Sequence, residues 1–219
     1  MIIVGICGGS GSGKSTFAER IRDGLSCSCE IMRLDCYYFD QGGKPFEERT
    51  KVNYDSPEIF DFDEMLEDIR LLLDGKPVTR KGYNYAEHRW DDSEELMYPP
   101  EVLIIEGIHV FYDDRICDIM NLKLFIKVDS DICLLRRIAR DMNERGRSLE
   151  SISEQYKATV KPMREKYIDK YIDKADVVVM RGGMNEQALK TTISYLKSCV
   201  KEQRPAESEK NESDGNDSE

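Results

Sequence analysis

A glycine-rich loop near the start of the chain has the residue types and spacing of a phosphate-binding loop. Gly8-Gly-Ser-Gly-Ser-Gly13-Lys14-Ser15 matches G-x-x-x-x-G-K-[ST] at every fixed position. Glycines let the backbone turn tightly, so that successive N–H groups point at phosphate oxygens. A helix starting at Lys14 adds its positive end, the lysine would reach the β- and γ-phosphates, and the Ser15 hydroxyl would bind Mg²⁺. The loop therefore predicts a site for a nucleoside triphosphate with Mg²⁺, formed by Gly8, Gly9, Ser10, Gly11, Ser12, Gly13, Lys14, Ser15 and Thr16.

Two carboxylates are expected at the sheet edge that borders this loop. Glu106 follows an apolar run that predicts a buried strand, and Asp35 follows a second predicted strand. The carboxyl ends of parallel strands face the ligand crevice. Glu106 could therefore reach the Mg²⁺ shell, and Asp35 could accept the proton of an acceptor hydroxyl or orient that hydroxyl for in-line attack. The alternatives are a surface glutamate at a strand end and a loop aspartate that caps the next element.

Five arginines lie within the segment 136–147 of an otherwise acidic chain. Arg137 and Arg140 are three residues apart and would share a helix face, and Gly146 lets the chain bend over a ligand. Planar guanidinium groups suit phosphate oxygens, so the segment predicts a mobile lid that stabilises charge during transfer and excludes water. The alternative is a solvated basic helix that pairs with nearby acids such as Asp131, Asp141 and Glu144.

The segment Tyr83-Asn-Tyr85-Ala-Glu-His88-Arg89 is aromatic and polar without helical periodicity. Tyrosine rings can stack on a planar base, and a histidine can hydrogen-bond its edge. The segment therefore predicts a binding site for a planar acceptor. The alternative is a hairpin whose aromatic residues fill a local cluster.

The elements that position these residues follow from hydrophobic patterning. Continuous apolar runs predict strands at 1–7, 31–34, 102–105, 124–128 and 176–180. Helical spacing predicts helices at 14–25, 62–73, 131–143 and 149–175, and Asp61 with Glu64 has the form of a capping box. Apolar strands separated by helices indicate a parallel sheet covered on both faces. The predicted fold class is α/β, a P-loop kinase fold of about five parallel strands flanked by helices, with a hairpin insert at 76–98 and an arginine-rich lid at 136–155.

Composition limits the function classes. The 219 residues carry a net charge of −11, which disfavours binding to nucleic acid or an anionic membrane. We expect one domain at 1–201 and a disordered acidic tail at 202–219, because the tail has no apolar run. No apolar run approaches the length of a membrane span, and the seven cysteines predict thiols in a reducing cytoplasm. A redox pair of Cys27 and Cys29 is the alternative.

Taken together, the motifs resemble those of the uridine/cytidine kinase family, in particular its bacterial uridine kinase branch. The resemblance extends over residues 2–198. After the P-loop, the motifs that carry it are Asp35-Cys-Tyr-Tyr38, Asn53-Tyr-Asp55-Ser-Pro57, Tyr83 to His88, Glu106-Gly107, Arg136 to Arg147, Gln155-Tyr156 and Arg181-Gly-Gly183. The family usually has histidine where this chain has Ser56, and its hairpin typically continues H-T-R where Arg89 follows His88 directly.

The resemblance implies a role for each matching position. Asp35 would be the catalytic carboxylate for the 5′-hydroxyl of uridine or cytidine, with Tyr38 beside the acceptor and Tyr54 lining its pocket. Asp55 and Arg137 would hold the ribose hydroxyls. Tyr83 and His88 would read the pyrimidine edge, Tyr85 would stack on the base, and Gln155 would reach the acceptor. Lys14 and Arg140 would act in catalysis, and Arg145 and Arg147 would serve the phosphates. The family also implies ATP or GTP as donor and a homotetramer.

Other functions remain open at this point. A related small-molecule kinase, phosphoribulokinase-like or pantothenate kinase-like, would share the loop and the lid, but a sugar-phosphate acceptor needs further arginines and no stacking rings. A non-catalytic nucleotide-binding regulator would bind the triphosphate without transfer. The tyrosines and His88 favour a nucleoside acceptor.

Overall fold

Five strands form one parallel sheet in the computed structural model, which describes residues 1–85 and 87–203. The central strand is β1 (Ile2–Cys7), flanked by β5 (Val102–Glu106) and β6 (Leu122–Lys127), with β2 (Cys29–Arg33) and β7 (Val177–Met180) at the edges. Every pairing in this sheet is parallel. β1 and β5 are buried along their whole length, as their continuous apolar sequences predict. The predicted fold class is confirmed.

Helices cover both faces of the sheet. They are α1 (Lys14–Gly24), α2 (Phe46–Arg49), α3 (Phe62–Leu73), α4 (Asp114–Asp118), α5 (Ser130–Arg145), α6 (Leu149–Gln155), α7 (Lys161–Lys166) and α8 (Glu186–Gln203). The apolar faces of α1 and α8 pack on one side of the sheet, and those of α3 and α4 belong to the core on the other side. The N-terminus of α3 is capped as predicted, because the Asp61 side chain accepts a hydrogen bond from the Glu64 N–H.

A separate two-stranded hairpin interrupts this alternation. β3 (Val78–Asn84) pairs antiparallel with β4 (Arg89–Met97), and the register shifts between Lys81 and Tyr83. Such a bulge re-aims the side chains that follow it. The predicted hairpin insert is therefore present, and its tip carries the aromatic residues of the segment 83–89.

Most predicted boundaries shift by one or two residues, and two of the differences affect the surroundings of the cleft. β2 ends at Arg33 rather than at Leu34, and Asp35 lies in the 3₁₀ turn Leu34–Tyr37 that follows the strand. The single helix predicted at 149–175 was wrong. Instead α6 is followed by a π-helical turn, by α7 and by the 3₁₀ segment Ile168–Lys174. Pro162 in the first turn of α7 has no N–H to donate, which explains why the α-helical ladder is interrupted there.

The last described helix overlaps the start of the segment predicted as an acidic tail. α8 extends to Gln203, so Glu202 and Gln203 are helical rather than part of the tail. The rest of the predicted acidic tail, 204–219, lies outside the described residues. None of the helices in the described ranges combines the length and apolarity needed to cross a membrane.

Candidate active site

The glycine-rich loop joins β1 to α1 in a conformation that only glycine adopts easily. Gly11 and Gly13 have φ angles of 83° and 92°, in the left-handed region. A Cβ on Gly11 would lie 2.4 Å from the carbonyl oxygen of Cys133, and one on Gly13 would lie 2.8 Å from the backbone nitrogen of Gly183. Gly13 is the N-cap of α1 and provides no side-chain hydrogen bond to the first N–H groups of this helix. The loop therefore presents backbone donors, as a phosphate site requires.

Ser15 and Glu106 meet beside this loop. The Ser15 hydroxyl donates to Glu106 Oε1 at 2.9 Å, and Arg33 Nε lies 3.7 Å from the same oxygen. Burial raises the pKa of the Glu106 carboxyl, and the nearby charge of Lys14 opposes this shift. A hydroxyl and a carboxylate supply the oxygen ligands that Mg²⁺ prefers, and Mg²⁺ in such sites is completed by phosphates and water. The residues present therefore fit a nucleotide-bound Mg²⁺.

Asp35 accepts hydrogen bonds from two tyrosines. The hydroxyl of Tyr85 donates to Asp35 Oδ2 at 2.7 Å, and that of Tyr38 donates to Oδ1 at 3.3 Å. Burial, followed by the negative charge of Asp35, raises the pKa of both tyrosines above its ordinary value. Both hydroxyls are therefore protonated donors at neutral pH, and they fix the orientation of the carboxylate.

The hairpin contributes an aromatic wall next to Asp35. The rings of Tyr54 and His88 stack with their centroids 4.9 Å apart and their planes 22° apart, and Tyr83 meets Tyr85 edge-on at 5.2 Å. His88 has a φ of 50°, so the tip of the hairpin turns this ring inward through a left-handed conformation. Burial, and then the positive charges of nearby arginines, lower the pKa of His88. A neutral imidazole can both donate and accept one hydrogen bond.

Asp55, Arg137 and Gln155 form a polar network that also borders the cleft. Arg137 Nη1 lies 3.7 Å from Asp55 Oδ1, and Arg137 Nη2 donates to Gln155 Oε1 at 2.9 Å. Arg147 also donates to Gln155 Oε1, and the Thr159 hydroxyl donates to Asp55 Oδ2 at 3.2 Å. Burial raises the pKa of Asp55, and the charge of Arg137 opposes this shift. These polar groups can bind hydroxyls of a ligand.

A cleft of about 270 Å³ brings most of the predicted residues together. Its walls include Ser10, Lys14, Ser15, Asp35, Tyr38, Tyr54, Asp55, Tyr83, Tyr85, His88, Glu106, Arg137, Arg140, Arg145, Arg147 and Gln155. The remaining residues of the glycine-rich loop do not line this cleft; they are Gly8, Gly9, Gly11, Ser12, Gly13 and Thr16. The guanidinium carbon of Arg145 lies 4.2 Å from the centroid of the Tyr85 ring, so the arginine-rich segment contacts the aromatic wall.

Several residues that support the cleft were missed from the sequence. Arg33 and Thr159 contact Glu106 and Asp55, as described above, but lie far from them in the chain. His109 is fully buried, with Nε2 2.8 Å from the Asp55 carbonyl oxygen and Nδ1 3.0 Å from the Tyr171 hydroxyl. Burial lowers the pKa of His109 to about 4, so its ring is neutral at physiological pH. The only local signal for it was its position just after β5.

Comparisons with known proteins show the family and the fold of this chain. The model of the phosphoribulokinase/uridine kinase family matches residues 3–188. The uridine kinase of Ligilactobacillus salivarius is 41% identical over 201 residues, which cover 91% of this chain and 94% of that protein. The uridine kinase of Streptococcus uberis is 43% identical over 202 residues, covering 92% and 96%. The phosphoribulokinase structure from Rhodobacter spheroides superposes with a TM-score of 0.59 at 12% identity, covering 82% of this chain and 69% of that one, which shows a shared fold.

Proposed function

The chain belongs to the phosphoribulokinase/uridine kinase family, and we propose that it transfers the γ-phosphoryl group of ATP or GTP to the 5′-hydroxyl of uridine or cytidine. The products would be UMP or CMP and the nucleoside diphosphate. The observation that carries the proposal is the position of Asp35. Asp35 borders the same cleft as Ser10, Lys14 and Ser15 of the glycine-rich loop and as the stacked rings of Tyr54 and His88. An acceptor with a planar base and a hydroxyl would meet both the rings and Asp35 in this cleft.

The donor half would hold the triphosphate through the glycine-rich loop and Lys14. Ser15 and Glu106 would hold Mg²⁺, which neutralises charge on the phosphate oxygens during transfer. Arg140, Arg145 and Arg147 would bind phosphate oxygens from the arginine-rich segment, where guanidinium groups can form paired hydrogen bonds. Because these groups border a partly enclosed cleft, they would also limit the access of water to the γ-phosphoryl group.

The acceptor half would orient the nucleoside for in-line attack. Asp35 would accept the proton of the 5′-hydroxyl while its own position is fixed by Tyr38 and Tyr85. Asp55 and Arg137 would hold the ribose hydroxyls, and Gln155, which accepts hydrogen bonds from Arg137 and Arg147, would reach the acceptor. The bound base would lie against the aromatic wall, where Tyr54 lines the pocket, Tyr83 and His88 meet the base edge and Tyr85 stacks on the ring.

The main alternative within the family is a kinase for a sugar phosphate. The aromatic wall disfavours it, because stacked rings suit a planar base better than an anionic phosphate. A pantothenate kinase-like enzyme or a regulator that binds nucleotide without transfer would retain the donor half alone. We also propose a cytoplasmic location and, from the family, a homotetramer without nucleic-acid or membrane partners.

An ADP-release assay with MgATP and a panel of acceptors tests the proposal. The panel contains uridine, cytidine, deoxyuridine, adenosine, UMP, ribulose 5-phosphate and pantothenate. We expect turnover with uridine or cytidine and little with the others. Turnover only with ribulose 5-phosphate or pantothenate would overturn the nucleoside proposal.

The variant Asp35→Asn tests the catalytic role in the same assay. Loss of the general base should lower kcat by about 10²–10⁴-fold, while binding of ATP is retained. Unchanged turnover would remove Asp35 from the mechanism. Binding of ATP by the wild-type protein without turnover of any acceptor would favour the regulator.

A further inference from the structure

A buried carboxylate lies behind the cleft, and the roles proposed above do not use it. Asp141, near the end of α5, is fully inaccessible to solvent. Removing an isolated carboxylate from water is costly, so such a group persists only where positive charges or hydrogen-bond donors surround it. The residues around Asp141 therefore indicate its purpose.

Three arginines of the same helix surround this carboxylate. Arg140 Nη2 lies 2.9 Å and Arg145 Nη1 lies 3.3 Å from Asp141 Oδ1, while Arg137 Nε lies 3.4 Å from Oδ2. Arg137 and Arg145 lie four residues before and after Asp141. This spacing puts these two arginines and Asp141 on one face of the helix. One buried carboxylate thus lies within ion-pair distance of three guanidinium groups, and it accepts a hydrogen bond from that of Arg140.

The backbone of Asp141 fixes the end of the helix as well. Its carbonyl oxygen accepts hydrogen bonds from the N–H groups of Gly146 and Arg147. Gly146 is in the left-handed conformation that commonly ends a helix. The chain therefore turns sharply after Arg145, and Arg147 points back to Gln155.

The arginines held by Asp141 belong to the two halves of the cleft. Arg137 contacts Asp55 and Gln155 on the acceptor side. Arg145 lies over Tyr85 and, with Arg140, is assigned to the phosphates in the proposed function. Arg137 and Arg145 are two helical turns apart, and the structure connects them through the two oxygens of one carboxylate.

We propose that Asp141 is a positioning residue that couples binding of the nucleoside to binding of the triphosphate. When phosphates attract Arg140 and Arg145, the shared carboxylate transmits the change to Arg137, which orients Asp55 for the acceptor. Without Asp141, the like charges of the three arginines repel one another, and each half binds its ligand independently. This inference rests on the proposed function, because it requires a nucleoside acceptor and a triphosphate donor.

Isothermal titration calorimetry of uridine binding, with and without a non-hydrolysable ATP analogue and Mg²⁺, measures this coupling. The ratio of the two affinities is the coupling factor, which in two-site systems is typically about 5–150-fold. We expect a factor in this range for the wild-type protein. For Asp141→Asn, which keeps the shape and removes the charge, it should fall close to one, and kcat should fall too.

The variant Glu144→Gln is the matched control. It removes one carboxylate charge from the exposed surface of the same helix and should keep the wild-type coupling factor. A factor near one in the wild-type protein, or equal factors in the wild-type and Asp141→Asn proteins, would overturn the inference. Absence of wild-type turnover with uridine or cytidine would instead overturn the proposed function, so the two failures are distinguishable.

A double-mutant cycle keeps the inference testable if Asp141→Asn does not fold. Arg137→Gln, Arg145→Gln and their double variant are compared by kcat/KM for uridine. Because the two arginines share Asp141, their effects should be non-additive, with the double variant losing less than the product of the single losses. Independent effects that multiply would overturn the coupling.

Discussion

Replacing Tyr85 with phenylalanine tests whether the aromatic wall contributes to catalysis through Asp35. The Tyr85 hydroxyl lies 2.7 Å from Asp35 Oδ2, whereas that of Tyr38 lies 3.3 Å from Oδ1, so Tyr85 makes the stronger of the two contacts. A hydrogen bond to a charged group contributes about 1.5–3 kcal/mol. Water in the cleft can replace part of this, so we take the lower limit. Because about 1.4 kcal/mol corresponds to a factor of ten in rate, kcat should fall about tenfold.

The same variant should leave the Michaelis constant for uridine nearly unchanged. It retains the ring that packs under Arg145 and against Tyr83. Loss of an interaction that orients the catalytic base Asp35 lowers kcat and kcat/KM together, so KM should change by less than about threefold. The assay is steady-state ADP release at saturating MgATP with uridine varied. Tyr112→Phe, on an exposed ring that does not border the cleft, is the control.

Two results would refute this reasoning. An unchanged kcat in Tyr85→Phe would mean that the hydroxyl does not help to orient Asp35 during transfer. A higher kcat would mean that the tyrosine hydroxyl competes with the acceptor hydroxyl for Oδ2, so that the contact seen in the structure is inhibitory.

The remaining predictions concern the loop, the metal site and the buried histidine. In Gly11→Ala, the strained φ and the close approach of the new Cβ to Cys133 should lower the Tm by about 5 °C in calorimetry; an unchanged Tm would contradict the assigned loop geometry. Glu106→Gln should raise the Mg²⁺ concentration for half-maximal ADP release by about tenfold, and an unaltered Mg²⁺ titration would exclude Glu106 from the metal site. The pKa of His109 is about 4 in the folded protein and about 6.5 in the unfolded protein. Its neutral ring therefore contributes fully to the free energy of unfolding above pH 6.5, and this contribution is lost as the pH falls toward 4. Urea unfolding at pH 7.5 and 5 should show the wild-type protein losing about 2 kcal/mol more than His109→Gln; equal losses would reject this origin of the pH dependence.

The parts of the fold that depend on local patterning could be predicted from the sequence. β1 and β5 are short, continuous apolar runs, and buried parallel strands have this pattern. The glycine-rich loop was identifiable because each fixed position has a local chemical purpose. The single helix predicted over 149–175 was wrong although the sequence contains a local signal against it, because Pro162 has no backbone N–H to donate and the α-helical ladder is interrupted there.

The cleft was only partly predictable, because several contacts that support it join residues far apart in the sequence. Asp35, Glu106 and the tyrosines of the hairpin stand where motifs or strand ends put them, and these residues do border one cavity. The residues that hold them in place come from distant segments. Thr159 contacts Asp55 across 104 positions, and His109 contacts it across 54. Pattern reasoning has no access to such pairings, which are decided by tertiary packing.

Asp141 shows how the two interpretations of the arginine-rich segment are related. From the sequence alone, this segment had two interpretations: a lid that binds phosphates, or a basic helix that pairs with its own acidic residues. In the structure three arginines pair with Asp141, yet the same arginines border the cleft. Internal pairing and ligand binding are compatible, because a guanidinium group has five N–H donors and one carboxylate engages few of them.

The buried carboxylates of Asp55 and Asp141 also explain how several arginines lie close together in one cleft of a chain whose net charge is −11. Without a ligand, the arginines of α5 would repel one another and draw apart into solvent. Asp141 and Asp55 offset this repulsion from inside the protein, where screening by salt is weak. Part of the positive charge is thus already compensated before phosphates arrive, so the arginines give up some attraction for the donor. In return they are held in one arrangement, which favours transfer because preorganised charges need no rearrangement as the reaction proceeds.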